Sequence, residues 1–131
     1  MPETLMRVKE EQLRALGVGY RAPYLIKTAQ AVAEGFPLSD LRDTPYEKAH
    51  AMLKTLSGVG DKVADCILLF GCRHACAYPV DVWVERLSRE WLGIEEKSLS
   101  KMREKARALL GEEAGVVQQY LFHCKRLNLL E

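Results

Sequence analysis

The sequence predicts an all-α fold, and three observations carry that expectation. Apolar residues recur at three- and four-residue steps in one segment after another. Glycine or proline stands at the ends of those segments. No stretch alternates apolar and polar residues with the period of two that a half-buried strand requires. The chain has 131 residues, 48% hydrophobic and 28% charged. This is ordinary globular composition, and a chain of this size buries roughly two-thirds of its unfolded surface. One helical domain, 1–131, is the expected organisation, without internal repeats or linkers. No apolar run reaches the eighteen residues of a membrane span, and MPETLMRVKE lacks the apolar stretch of a signal peptide. The expected location is the cytoplasm, in association with the nucleoid, in a prokaryote, or the nucleus in a eukaryote. Lys and Arg total 19 against 18 Asp and Glu. An anionic partner must therefore be met by a local patch rather than by net charge.

Leu5, Val8, Leu13 and Leu16 predict a first helix that stops at Gly17. Leu25, Ile26, Ala29, Val32 and Ala33 predict a second over about 22–34, ended by Gly35. Thr44-Pro45-Tyr46-Glu47 has the form of a capping box with proline at the first helical position. It should open a third helix to about residue 54, with Ala49, Met52 and Leu53 inward. A fourth runs over about 61–71. Tyr78-Pro79-Val80 is biased toward extended backbone by its proline, and Asp81 is placed to cap a fifth helix reaching about residue 92. Ser98 opens a sixth that stops at Gly111. The last, over about 114–127, carries Val117, Leu121 and Cys124 on one stripe.

Leu56-Ser57-Gly58-Val59-Gly60-Asp61-Lys62-Val63-Ala64 joins the third and fourth helices almost without a loop. Its glycines are able to take positive φ and to expose N–H groups that a Cβ would obstruct. The valine between them can turn inward and pin the turn. With the free N–H groups of the next helix, the turn makes an anion site that suits a DNA phosphate and reads no sequence. A G-x-G alone is more often a packing solution; the whole string is far more specific. Gly17-Val18-Gly19 is a superficially similar stretch without the downstream lysine, and reads as a helix stop with a nearby contact role.

Lys62 falls in the first turn of the fourth helix. The helix dipole, together with partial burial, would favour its neutral, nucleophilic amine there. The fourth helix carries the chain roughly 15 Å away. The eight residues from Arg73 to Val80 stretch about 26 Å, enough to return. Asp81 can thus stand beside Lys62, held ionised by the N–H groups it caps and able to stabilise positive charge on a sugar. An aspartate before a helix is by default only a cap. The four cysteines, Cys66, Cys72, Cys76 and Cys124, are spaced C-x5-C-x3-C and then far downstream. No C-x2-C pair is present, so small buried hydrophobes are the better reading. His74 and His123 leave a metal reading open.

LSGVGDKVADC followed by YPVDVW resembles the catalytic core of the helix-hairpin-helix DNA glycosylase superfamily, and most resembles its 8-oxoguanine branch. Leu16-Gly17-Val18-Gly19-Tyr20-Arg21-Ala22 and Ala114-Gly115-Val116-Val117-Gln118-Gln119-Tyr120-Leu121-Phe122 are similar to two further segments of that branch, in the same order. The resemblance implies a DNA glycosylase and abasic-site lyase acting on damaged double-stranded DNA as a monomer, without a membrane. In that role Lys62 attacks the sugar C1′ of a flipped nucleotide and Asp81 assists. Cys66 and Phe122 sandwich the base, Gln118 bonds its edge and Phe70 closes the wall. Tyr20 and Arg21 act on the duplex, and Gly58, Gly60 and Val63 hold a phosphate. No cofactor is required. A monovalent cation on the carbonyls of Lys54, Leu56 and Val59 is the expected accessory, and no iron–sulfur cluster is expected.

Two positions depart from the family pattern. Ser57 stands where proline is usual, and Trp83 where histidine follows P-V-D-V. The family also has further helices ahead of the matched part, so the chain reads as a C-terminal portion or a minimal version. A truncated, non-catalytic DNA-binding module is the competing expectation. A helical protein-interaction domain is a weaker one.

Overall fold

The computed structural model describes residues 1–129. Among these residues eight α-helices follow one another: α1 (Pro2–Leu5), α2 (Glu10–Leu13), α3 (Ala22–Ala33), α4 (Tyr46–Leu53), α5 (Asp61–Gly71), α6 (Val82–Leu92), α7 (Leu99–Leu110) and α8 (Ala114–Arg126). No strand occurs among the described residues, and no helix there is long and apolar enough to cross a membrane.

The single N-terminal helix expected up to Gly17 is two one-turn helices. Lys9 takes extended backbone at ψ 144°, and its N–H donates to the Gln12 side chain at 3.1 Å, which restarts the chain. A π-helical turn, Arg14–Val18, follows, and Leu16 is exposed. The capping box at Thr44 does not form either. The Thr44 hydroxyl turns back to the Asp40 carbonyl at 2.8 Å, and Pro45 is the N-cap with ψ 139°. A short 3-10 helix, Leu38–Arg42, absent from the sequence expectation, buries Leu41 beneath this turn. From α5 onward the bounds agree with those read in the sequence, and the two expected side-chain caps form. Asp81 accepts from the Trp83 and Val84 N–H groups at 3.0 and 2.8 Å, and Ser98 accepts from Lys101 N–H.

Two apolar clusters hold the helices. One gathers Leu41, Ala49, Leu53, Leu56, Ala64, Leu68 and Ala77; the other gathers Tyr78, Val80, Val84, Met102, Ala106 and Ala114. The extended stretch 77–80 is buried throughout and passes from the first cluster into the second. Tyr78 fixes it: its hydroxyl meets Ser88 Oγ at 3.0 Å, and Ser88 in turn donates to the Val84 carbonyl at 2.7 Å. The hydroxyl of Tyr78 is therefore the donor. Asp81 comes immediately after this anchored stretch, so its position is set by packing as well as by its cap.

Candidate functional site

The hairpin between α4 and α5 has the expected form, with one difference between its glycines. Gly58 has φ +79°, and a Cβ there would lie 2.5 Å from the Tyr24 ring. Gly60 is extended (φ −99°, ψ −172°) and meets nothing, so its role is to cap α5 without a side chain. Val59 packs inward against the first cluster, and its N–H closes the turn on the Leu56 carbonyl at 3.2 Å. No side chain caps α5, in contrast to α6. Its first-turn N–H groups are left for a ligand or solvent, with Val63 and Gly58 exposed beside them. Tyr24 also meets the ring of Tyr20 edge-on at 6.5 Å, and the Arg21 guanidinium lies 4.7 Å from the Tyr20 centroid. Tyr20 and Arg21 are thus brought, through Tyr24, to the hairpin. Both are exposed.

The residues expected to act on a base are gathered. One cleft of about 210 Å3 is lined by Lys62, Cys66, Phe70 and Asp81 with Pro79, Gln118, Gln119 and Phe122. The 19 positions between Lys62 and Asp81 are bridged by the return of the 77–80 segment. Burial pushes the Cys66 thiol up; Lys62 opposes this, and Asp65 and Asp81 reinforce it. That thiol stays protonated at neutral pH, a polarisable wall rather than a nucleophile.

Lys62 is exposed, because it lies on the outward face of α5. Lys62 stands between the cleft and a neighbouring cavity of about 280 Å3 formed by Gly60, Asp61, Val63 and Val80 with Leu99 and Arg103. Gln118 is 4% exposed. Its amide donates to the Pro79 carbonyl at 3.3 Å, and its oxygen accepts from Gln119 at 2.6 Å. A base edge would compete with or extend those bonds. Phe70 is exposed at the rim.

Three features escaped the sequence reading. Pro79 and Gln119 line the cleft. Gly115 allows α8 to approach: a Cβ there would sit 2.2 Å from the Ala77 carbonyl, and its own N–H donates to Ala75 at 2.7 Å. This contact sets Gln118 and Phe122 over the cleft. The third is a buried polar cluster behind α5. Tyr46 donates to Asp65 at 2.5 Å, and Arg103 donates to Tyr46 at 2.7 Å and to His50 Nε2 at 2.9 Å. The signal for it was a carboxylate at an inward position of α5, where burial demands partners. Elsewhere, no group of three or more His, Cys, Asp or Glu gathers to hold a metal among the described residues. Cys72 is buried, and the other three cysteines are half-buried.

Residues 1–112 match the family model described as HhH-GPD superfamily base excision DNA repair protein. The chain belongs to the HhH-GPD superfamily. It is 45% identical over 120 residues to a "Probable N-glycosylase/DNA lyase" of Methanothermobacter thermautotrophicus, covering 91% of this chain and 38% of that one. With an N-glycosylase/DNA lyase of Saccharomyces cerevisiae it shares 37% over 120 residues, 82% of this chain and 32% of the other. It superimposes with a TM-score of 0.90 on Clostridium acetobutylicum 8-oxoguanine glycosylase/lyase, solved with double-stranded DNA containing cytosine opposite 8-oxoG. Identity there is 33%, over 99% of this chain and 45% of that one. The HhH-GPD segment described here thus spans less than half the length of the relatives it matches.

Proposed function

We propose that the chain is the catalytic portion of a DNA glycosylase and abasic-site lyase that removes 8-oxoguanine from duplex DNA. The observation that carries this reading is the single cleft shared by Lys62, Asp81, Cys66, Gln118 and Phe122. A lysine amine forms a Schiff base with a sugar carbon once the base has left. A carboxylate fixed by two N–H groups stabilises the positive charge that builds on the sugar as the bond breaks. Cys66 and Phe122 suit the two faces of an extruded base, and Gln118 its edge. The exposed N–H groups at Gly58, Gly60 and Val63 suit a phosphate. Tyr20 and Arg21 suit the disturbed duplex beside the extruded nucleotide. The carbonyls of Lys54, Leu56 and Val59 offer neutral oxygens of the kind that seats a monovalent cation; this accessory is part of the proposal.

Borohydride reduction in the presence of a duplex bearing 8-oxoguanine opposite cytosine tests the reading. The wild type is expected to become covalently trapped. Lys62→Gln should abolish trapping and still bind the duplex. Asp81→Asn, which keeps an acceptor for the cap, should slow base loss without lowering Tm. A wild type that binds abasic duplex and never traps would leave a non-catalytic DNA-binding module in its place.

A further inference from the structure

Gln118 and Gln119 follow one another on α8, and adjacent helical residues ordinarily do not face each other. Here they do: the Gln119 amide donates to Gln118 Oε1 at 2.6 Å. Gln118 is buried, whereas Gln119 is half-buried on the border between the cleft and an outer groove formed with Leu69, Val116, Tyr120 and His123. Solvent is within reach of Gln119 there, so burial does not force it to turn onto Gln118. The two bonds of Gln118 have a fixed polarity. A carbonyl only accepts, so Gln118 must turn its Nε2 to Pro79 and its oxygen to Gln119. The Pro79 bond, at 3.3 Å, is longer than the roughly 2.7–3.2 Å of most N–H···O bonds. The shorter bond from Gln119 is therefore the stronger hold on the amide.

We infer that Gln119 is a specificity-determining residue: resting on the function proposed above, it holds the Gln118 amide in the one orientation that suits a guanine-type edge and not an adenine-type one. It acts through Gln118 and is thus a positioning residue. The terminal torsion of a glutamine is roughly two-fold, and an amide that turns over exchanges its donor for its acceptor. The Watson–Crick edge of 8-oxoguanine sets an acceptor, O6, beside a donor, N1–H. That of 8-oxoadenine reverses the order, with a donor, N6–H, beside an acceptor, N1. An unheld amide can turn over to suit either. With Pro79 and Gln119 bonded, Gln118 keeps one N–H and one lone pair, each in a set place. One purine edge then meets complementary groups, and the other leaves buried polar groups unpaired, which is how a polar site rejects an analogue.

The test measures duplex binding by fluorescence anisotropy in the Lys62→Gln background, in which excision is not expected. One duplex carries 8-oxoguanine opposite cytosine, the other 8-oxoadenine opposite cytosine. The cost of opening each duplex belongs to the DNA and cancels when proteins are compared. Adding Gln119→Met, which keeps the volume and cannot donate, should lower the ratio of 8-oxoguanine to 8-oxoadenine affinity roughly tenfold. Gln119→Glu keeps the shape, but its carboxylate only accepts, so near neutral pH it should lower the ratio at least as far. A side chain that merely filled space would leave the glutamate variant like its parent, and its loss would weaken both duplexes alike. Should either variant fail to fold, the other is read alone. An unchanged ratio overturns the inference. Borohydride trapping of the wild type on a natural abasic duplex separates the two proposals. Trapping with an unchanged ratio removes the role of Gln119 alone, whereas no trapping and no duplex binding removes both.

Discussion

The two faces of α5 are built on opposite plans. Outward, Lys62, Cys66 and Phe70 line an open cleft, with Lys62 and Phe70 exposed and Cys66 half-buried. Inward, Asp65 is fully buried in a cluster with Tyr46, His50 and Arg103, while Arg107 stacks 3.6 Å from the Tyr46 ring centroid. Even so, Asp65 Oδ2 and Arg103 Nε have no hydrogen-bond partner in the structure. The cluster fixes one helix against α4 and α7 through charges that cannot easily shift, since an unpaired charge at zero exposure is very costly. The outward face can then be left unsatisfied, because the inward face has already set its rotation and height. The contrast predicts that stability and chemistry separate across a single helix.

The largest effect should come from breaking the inward face. Arg103→Met leaves the Asp65 carboxylate buried without its cation and should cost about 3–5 kcal/mol in urea unfolding. Lys62→Gln, on the exposed face of the same helix, should unfold within about 0.5 kcal/mol of the wild type. A large loss in both variants, or in neither, would undo the division. Next in size is Gly115→Ala. The added Cβ meets the Ala77 backbone carbonyl, which cannot swing aside as a side chain can, and should cost about 1–3 kcal/mol. Because α8 carries Gln118 and Phe122, the displaced helix should also weaken binding of an abasic-analogue duplex. A variant with wild-type affinity would mean that α8 is positioned by its other contacts.

These two faces were not equally legible in the sequence. The caps and stops of α6 and α7 depend on residues next to one another, so Asp81, Ser98 and Gly111 could be read directly. The outward residues were legible because LSGVGDKVADC and YPVDVW together form a constellation, although Cys66 or Phe122 alone would pass for core. The inward cluster was not, since its hydrogen bonds join residues 19, 53 and 57 positions apart and no local pattern announces them. The two failures near the N-terminus have the same origin. Thr44 looked like a cap in sequence but found a nearer acceptor in Asp40, which the unforeseen 3-10 turn delivered. The helical period over 5–16 could not reveal that Lys9 breaks it, because Gln12 makes that break locally favourable.

The smallest effect concerns His50. Its Nε2 faces the Arg103 guanidinium at 2.9 Å and must accept, so the ring is neutral with its proton on Nδ1. Burial holds its pKa below the ordinary 6.5, and Arg103 lowers it further, with Lys54 adding to them. Asp65 and Asp61, 3.7 and 3.8 Å away, pull the other way without prevailing. The unfolded chain binds a proton near pH 6.5 that the folded chain resists. Stability from this group is therefore complete above that pH and declines as pH falls through it. Asp65 acts in the opposite sense, since burial raises its carboxyl and folding favours its protonation. Only a comparison of variants isolates the histidine. His50→Gln, whose amide oxygen can still accept from Arg103, should flatten the fall in Tm between about pH 7.5 and 5.5 relative to the wild type. It should leave the pH dependence of borohydride trapping where it was, because His50 belongs to the inward face and Lys62 to the outward one. A trapping profile that moved together with the Tm profile would show that the two faces of α5 are electrostatically joined after all.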